Sequence, residues 1–134
     1  KFGRLPSFRG IEKEPEIARL SAQHVAVGDG LAEPWRGEHV LMNPPFKSAE
    51  VWVRKAVEEA QSAAILLRLG FLASQRRHAL WTQLPRPWAM VIMSRRPKFT
   101  AGGGGDRYDY LWCVWKRGSK QRTTQLHWIT GGDS

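Results

Sequence analysis

The feature that most constrains the fold of this sequence is a series of short segments that are apolar along nearly their whole length. Residues 63–69 and 89–94 are the clearest of these segments. A strand that is apolar on both faces belongs in a sheet that helices cover on both sides, and such sheets are largely parallel. Because stretches with helical spacing separate the strand segments, the pattern predicts an α/β domain.

Periodicity and turn residues place the individual elements. The clearest helix follows Ser48, a residue type that commonly begins helices, and it carries Val53, Ala56, Val57 and Ala60 at helical spacing. We predict strands at residues 8–12, 24–27, 39–42, 63–69, 89–94 and 108–115, an edge strand at 123–130, and two further helices, one near residues 15–20 and one from Ser74 to about Leu84.

Length and composition limit the class of protein. The 134 residues fit one domain spanning residues 1–134. The single cysteine, Cys113, excludes an intramolecular disulfide and favours a reducing compartment, so we expect a cytoplasmic protein. Apolar runs are too short for a bilayer and the four histidines lack ligand spacing, so we expect neither a membrane partner nor a metal site. Because the first residue is Lys1 rather than Met, we expect a segment upstream. The oligomeric state stays open.

Charge is distributed unevenly along the chain. The formal net charge is +9, and residues 68–134 carry all of it, with twelve Lys or Arg against three Asp or Glu. Arginine outnumbers lysine by fourteen to seven. The guanidinium fork matches phosphate, so this excess favours a polyanion such as DNA as partner. A generally basic, soluble surface is the alternative.

The motif with the clearest chemical meaning is Asn43-Pro44-Pro45-Phe46, which follows the predicted strand at residues 39–42 directly. Asn-Pro and Pro-Pro are also turn signals, so a tight turn is the plain interpretation. Proline favours extended geometry in the residue before it, so Asn43 is expected to be extended at the strand end. Two prolines fix two successive φ angles and remove two N–H donors.

A stiff rim of hydrogen-bond acceptors is what remains at this motif. The Asn43 side-chain oxygen and the Pro44 carbonyl can accept the two hydrogens of an exocyclic amino group. When both hydrogens are held, the nitrogen lone pair can turn toward an electrophile. Phe46 then offers a flat face on which a planar ring can stack.

These residues resemble the Asn/Asp-Pro-Pro-aromatic motif of S-adenosylmethionine-dependent amino-methyltransferases, especially phage-type DNA adenine-N6 methyltransferases. The resemblance continues over most of the chain, at residues 10–16, 27–31, 66–69, 94–100 and 108–115. It implies a Rossmann-like class I methyltransferase sheet, largely parallel with an antiparallel C-terminal strand. It also implies S-adenosylmethionine as cofactor and methyl transfer to the N6 of adenine in DNA, in the cytoplasm of a bacterial or phage-infected cell.

The resemblance gives roles to individual residues. It makes Asn43, Pro44, Pro45 and Phe46 the catalytic motif, with Asn43 also in contact with the cofactor. It further assigns Glu12 to the ribose hydroxyls of the cofactor, Asp29 to the cofactor adenine, and Phe46 and Phe99 to the target base. Without the resemblance, Glu12 could be a solvated carboxylate, Asp29 a turn residue, and either phenylalanine a core residue.

Several basic residues are candidates for DNA contact. Arg95, Arg96 and Lys98 follow a strand, and a place beyond its carboxyl end would aim them at the DNA. They could equally form a solvated charge run. Arg68 interrupts an apolar strand, where a charge needs a partner or a route to water, so phosphate contact and exposure at a sheet edge are both open.

One motif of the family has no counterpart in the chain. The family begins with a strand and a Gly-rich turn that hold the methionine part of the cofactor, and nothing in residues 1–10 matches them. We therefore expect an N-terminally incomplete methyltransferase domain. Two alternatives stay open: methyl transfer to another amino group, such as a protein glutamine amide or a guanine N2 in RNA, and a non-catalytic nucleic-acid-binding module that has lost the cofactor.

Overall fold

The computed structural model describes residues 31–96 and 108–130, together with two short strands at residues 10–12 and 25–27. The chain divides into two compact units, Lys1–Pro34 and Trp35–Ser134. In the first unit, β1 (Gly10–Glu12) and β2 (Val25–Val27) pair in parallel, with Glu12 opposite Val27. The helix predicted near residues 15–20 lies outside the described residues. The prediction of one domain over residues 1–134 stays a prediction.

The second unit is built on a five-stranded mixed sheet. Its strands are β3 (His39–Met42), β4 (Ser62–Arg68), β5 (Ala89–Met93), β6 (Tyr110–Lys116) and β7 (Gln125–Ile129). They lie in the order β3-β4-β6-β5-β7. β3 and β4 are parallel, as are β5 and β7, and β6 is antiparallel to both of its neighbours. The α/β fold class is confirmed, and the antiparallel strand is β6.

Helix α1 (Ala49–Glu59) connects β3 to β4 and packs against β4. Of the predicted apolar stripe, Val53 and Ala56 are buried in the helix, Ala60 is buried just past its end, and Val57 is half-buried; Ala49 is buried as well. Ser48 is the N-cap residue of this helix, as predicted, and its side chain makes no capping hydrogen bond. Instead the helix continues from the 3-10 turn Phe46–Ser48.

A second, short helix, α2 (His78–Gln83), follows the 3-10 turn Gln75–Arg77. Ser74 precedes that turn without a side-chain cap. In the described part of the chain, no helix is long and apolar enough to cross a membrane.

The core of the second unit lies between the sheet and the two helices. Its largest fully buried side chains are Phe71, Ile65, Leu80, Leu111, Val53 and Cys113. Trp81 of α2 stacks on Trp115 of β6, with ring centroids 6.1 Å apart. The indole N–H of Trp115 donates to the Pro85 carbonyl at 3.0 Å, so this large ring is buried without losing a hydrogen bond.

The C-terminal end of α1 is tied to the end of β6 by one side chain. Arg117 donates from Nε to the Ala60 carbonyl and from one terminal nitrogen to the Val57 carbonyl, each at 3.1 Å, and also to the Glu58 carbonyl. Helix C-terminal carbonyls lack partners within the helix and carry partial negative charge. The cation therefore satisfies several of them at once.

Candidate functional site

The Asn43–Phe46 tetrad lies at the carboxyl end of β3, where the sequence predicts it. Met42 is the last residue of the strand, and it pairs with Ile65 of β4. Pro45 is extended, with φ −57° and ψ 134°, and the first 3-10 turn begins at Phe46. The prolines thus prolong the extended chain past the sheet edge before the turn into α1 starts.

A cleft of about 150 Å³ opens beside the tetrad. Asn43, Pro44 and Phe46 line it, together with Arg68 and Tyr110. Because β3 and β4 are parallel and β6 is antiparallel to β4, the carboxyl ends of β3 and β4 and the start of β6 share one edge of the sheet. In open α/β sheets this is the edge where ligands bind.

The ring of Phe46 is 40 % exposed and lies among cations rather than in the core. The guanidinium carbon of Arg68 is 4.1 Å from its centroid, and the same carbon is 3.7 Å from the centroid of Tyr108. β4 lies between β3 and β6, but its pairing with β3 ends at Ile65, so Arg68 has a strand neighbour only on the β6 side. Contact of Arg68 with phosphate stays a prediction.

A second arginine beside Phe46 was not singled out by the sequence. Arg77 is 6 % exposed, and its Nε has no hydrogen-bond partner among the described residues. Its guanidinium carbon lies 4.2 Å from the Phe71 centroid and 5.4 Å from that of Phe46. Aromatic faces offset part of the cost of burying the charge. The sequence signal is only the Arg76-Arg77 pair before a helix, which does not distinguish a buried arginine from a solvated one.

The basic residues after β5 lie at the same sheet edge as the tetrad. β5 is antiparallel to β6, as β4 is, so its carboxyl end points the same way as those of β3 and β4. Arg95 and Arg96 follow that end and are exposed. Arg96 Nε donates to Asp109 Oδ1 at 2.9 Å, so this predicted DNA contact already has an acidic partner.

The other predicted site residues lie in the first unit or outside the described residues. Glu12 is the last residue of β1, in the first unit. Asp29, Lys98 and Phe99 lie outside the described residues. Their predicted roles toward cofactor, DNA and base stay predictions.

Among the described residues, the pKa values of Cys113 and Glu59 are shifted, and the causes are burial and local hydrogen bonds. Burial raises the pKa of the Cys113 thiol to about 12, so it is neutral at physiological pH and is not a nucleophile. The pKa of Glu59 is lowered, first because its carboxylate accepts the Trp35 backbone N–H at 3.0 Å and then because it pairs with Lys55 at 2.9 Å. Within the described ranges, no group of three or more His, Cys, Asp or Glu could hold a metal ion.

Comparison with known proteins bears on the fold. No protein-family model and no curated protein matches the sequence. Among solved structures, a predicted O-methyltransferase from Agrobacterium tumefaciens matches with a TM-score of 0.52 and 21 % identity, over 92 % of this chain and 70 % of that one. The chain therefore has a methyltransferase-like fold, which confirms the architecture that the tetrad implies.

Proposed function

We propose that this protein transfers a methyl group from S-adenosylmethionine to the N6 amino group of adenine in DNA. The observation that carries the proposal is the Asn43–Phe46 tetrad at the carboxyl end of β3, where Asn43, Pro44 and Phe46 line one cleft. The methyltransferase-like fold supports the reaction class, since it is the setting in which such a tetrad has chemical meaning. The substrate follows from the resemblance and from the basic second half of the chain.

The residues of the cleft suit an amino group as acceptor. The Asn43 side-chain oxygen and the Pro44 carbonyl would each accept one hydrogen of the N6 amino group and so aim its lone pair out of the ring plane. When bound, the cofactor supplies a methyl group on a sulfonium. Asn43 and Pro44 would hold the nitrogen that accepts this methyl group, and that nitrogen would then release one proton to water.

The first of the proposed cofactor contacts is Glu12, in the first unit. Glu12 ends β1, which is parallel to β2, and the carboxyl end of a parallel strand is a usual place for a ligand contact. In this proposal Glu12 binds the ribose hydroxyls, Asp29 the cofactor adenine, and Asn43 lies next to the transferred methyl group.

Duplex DNA requires extrusion of the target base, because N6 is engaged in base pairing. Phe46 supports this step, since its ring is exposed beside the cleft and can stack on a flipped adenine. Arg95 follows the carboxyl end of β5 at the same edge of the sheet, and its positive charge can attract a DNA phosphate. The proposal therefore places the base at Phe46 and the phosphate backbone along the edge that Arg95 shares.

A direct test is to incubate the natural gene product with tritium-labelled S-adenosylmethionine and DNA free of methylated adenine. The DNA is then digested to nucleosides and analysed for N6-methyldeoxyadenosine by mass spectrometry. We expect that nucleoside with the wild-type protein and very little with Asn43→Ala. Label found only in a protein glutamine amide or in RNA guanine would move the substrate to another amino group. Salt-dependent DNA binding without any label would indicate a non-catalytic module.

A further inference from the structure

The stacking face of Phe46 is occupied by a side chain of the protein itself. The guanidinium carbon of Arg68 lies over the Phe46 ring at 4.1 Å and over the Tyr108 ring at 3.7 Å. Both rings are substantially exposed, at 40 % and 47 %. A planar cation thus covers the aromatic surface on which a planar base would have to stack.

The contacts of Arg68 are of a kind that a base can replace. Within the described part of the chain, its guanidinium contacts only aromatic faces and forms no ion pair. A cation–π contact at an exposed site is weak, whereas stacking of a nucleobase on an aromatic ring is stronger. Since Arg68 lines the cleft together with Asn43 and Phe46, a base that enters the cleft meets this guanidinium first.

The Phe46 ring itself has a second support that does not face solvent. The guanidinium of Arg77 lies 5.4 Å from the ring centroid and belongs to a residue only 6 % exposed, packed on the Phe71 ring at 4.2 Å. Buried residues move less readily than half-exposed ones. Phe46 can therefore stay in place when Arg68 leaves it.

We propose that Arg68 fills the stacking position on Phe46 in the free protein and yields it to a planar purine that enters the cleft. The released guanidinium is then free to contact the phosphate beside the extruded base. The inference rests on the proposed function for the identity of the purine, but the displacement concerns only Phe46, Arg68 and an entering ring.

The probe that separates stacking from charge is adenosine, which carries no phosphate. We expect Arg68→Ala to bind adenosine about two- to five-fold more tightly than the wild type, because no side chain has to be displaced. Calorimetry measures this change. Arg76→Ala removes an exposed arginine of the neighbouring turn and is the matched control, with unchanged adenosine affinity. In Phe46→Ala the effect of Arg68→Ala should disappear, which ties it to this ring.

A second measurement follows Arg68 directly and does not depend on affinity. Ring currents should shift its side-chain resonances in the NMR spectrum of the free wild type, and adenosine should move them toward the values of a solvated arginine. Arg68→Lys tests the planar group, since it keeps the charge and loses the plane. Weaker or unchanged adenosine binding by a folded Arg68→Ala overturns the inference. Arg68 resonances whose chemical shifts do not change at saturating adenosine overturn it as well.

The two proposals fail in different ways. If the wild type methylates adenine in DNA while Arg68→Ala does not tighten adenosine binding, the function stands and the displacement is wrong. If no DNA methylation occurs but Arg68→Ala tightens adenosine binding through Phe46, the purine site stands and the reaction is wrong. Absence of adenosine binding in the wild type and in Arg68→Ala alike contradicts the displacement.

Discussion

The guanidinium carbon of Arg68 lies 4.1 Å from the centre of the Phe46 ring, and this contact joins the last residue of β4 to the last residue of the tetrad that follows β3. The two strands are parallel neighbours, so their carboxyl ends bring the residues together although 21 positions separate them in the chain. The tetrad is thus held in two ways. The strand before it, β3, is paired in the sheet, and the last residue of the tetrad, Phe46, contacts the Arg68 side chain.

Asn43→Ala should lower turnover far more than substrate affinity. It removes one acceptor from the amino group at the moment when the lone pair must turn, and the loss of one such oriented group typically costs about a hundred- to a thousand-fold in rate. Steady-state methylation kinetics on adenine-containing DNA measure the change. Asn43→Asp keeps an acceptor oxygen and is the matched control; near-wild-type turnover of Asn43→Ala would mean that the tetrad is only a turn.

Phe46→Ala should act mainly on capture of the base. An aromatic face is worth about 1–3 kcal/mol per stacked base, so DNA affinity should fall by about five- to 150-fold while the rate at saturation changes little. Fluorescence of a 2-aminopurine-containing strand reports the extruded base. Phe46→Tyr keeps the flat face and should bind as the wild type does. A fall in rate at saturation with unchanged affinity would contradict stacking.

Binding to DNA should weaken steeply as salt rises, because phosphates neutralised by the basic half release counterions. Replacing both Arg95 and Arg96 with Ala should reduce the slope of log affinity against log salt by up to about two. Arg54→Ala is the control, since this arginine pairs with Glu50 at 3.5 Å on the surface of α1. Equal slopes for the double variant and the wild type would exclude this edge from DNA contact.

The Cys113 thiol should be inert to alkylating and disulfide reagents in the folded protein. Burial raises its pKa to about 12, so at pH 7 to 9 almost no thiolate forms, and none of its side chain is exposed. A thiol assay with and without denaturant measures this, and Cys113→Ser should keep full activity if the domain still folds. Rapid labelling of the native protein at pH 8 would contradict the buried position.

Arg117→Ala should destabilise the second unit without touching the cleft. The change removes a cation from the C-terminal end of α1, an interaction worth about 0.3–1 kcal/mol at an exposed helix end and up to about 2 kcal/mol when partly buried. Urea unfolding measures the loss. Lys120→Ala, an exposed lysine nearby in sequence, should leave the midpoint unchanged. An unchanged midpoint for Arg117→Ala would show that the capping contacts carry no net stability.

Local signals predict most of the strands to within two residues. β3 matches at both ends, because Asn43-Pro44-Pro45 ends it abruptly. β4 and β5 differ from their predicted ranges by one residue at one or both ends. β6 begins at Tyr110 rather than at 108. These elements could be found because apolar runs, prolines and helical spacing are properties of neighbouring residues.

The order of the strands has no such local signal. β6 enters between β4 and β5, and this pairing depends on contacts between distant segments that no window of sequence contains. The positions of Arg68 and Arg77 follow from the same order, because each arginine meets Phe46 only after the sheet and the turn Gln75–Arg77 are assembled. The tetrad could therefore be predicted from the sequence, whereas the contacts of Phe46 with these two arginines could not.

The position of β6 has a consequence for how this protein reaches its native state. β3 and β4 are linked by a single helix, whereas Arg68 of β4 pairs with Tyr110 of β6 across a loop of roughly 40 residues. Closing that loop costs chain entropy before the stabilising contacts between β4 and β6 have formed. Contacts between residues this far apart in the chain therefore slow folding. The tetrad and α1 can form early, while the wall of the cleft that Tyr110 provides is completed late. On the ribosome β4 also emerges before β6, in the same order.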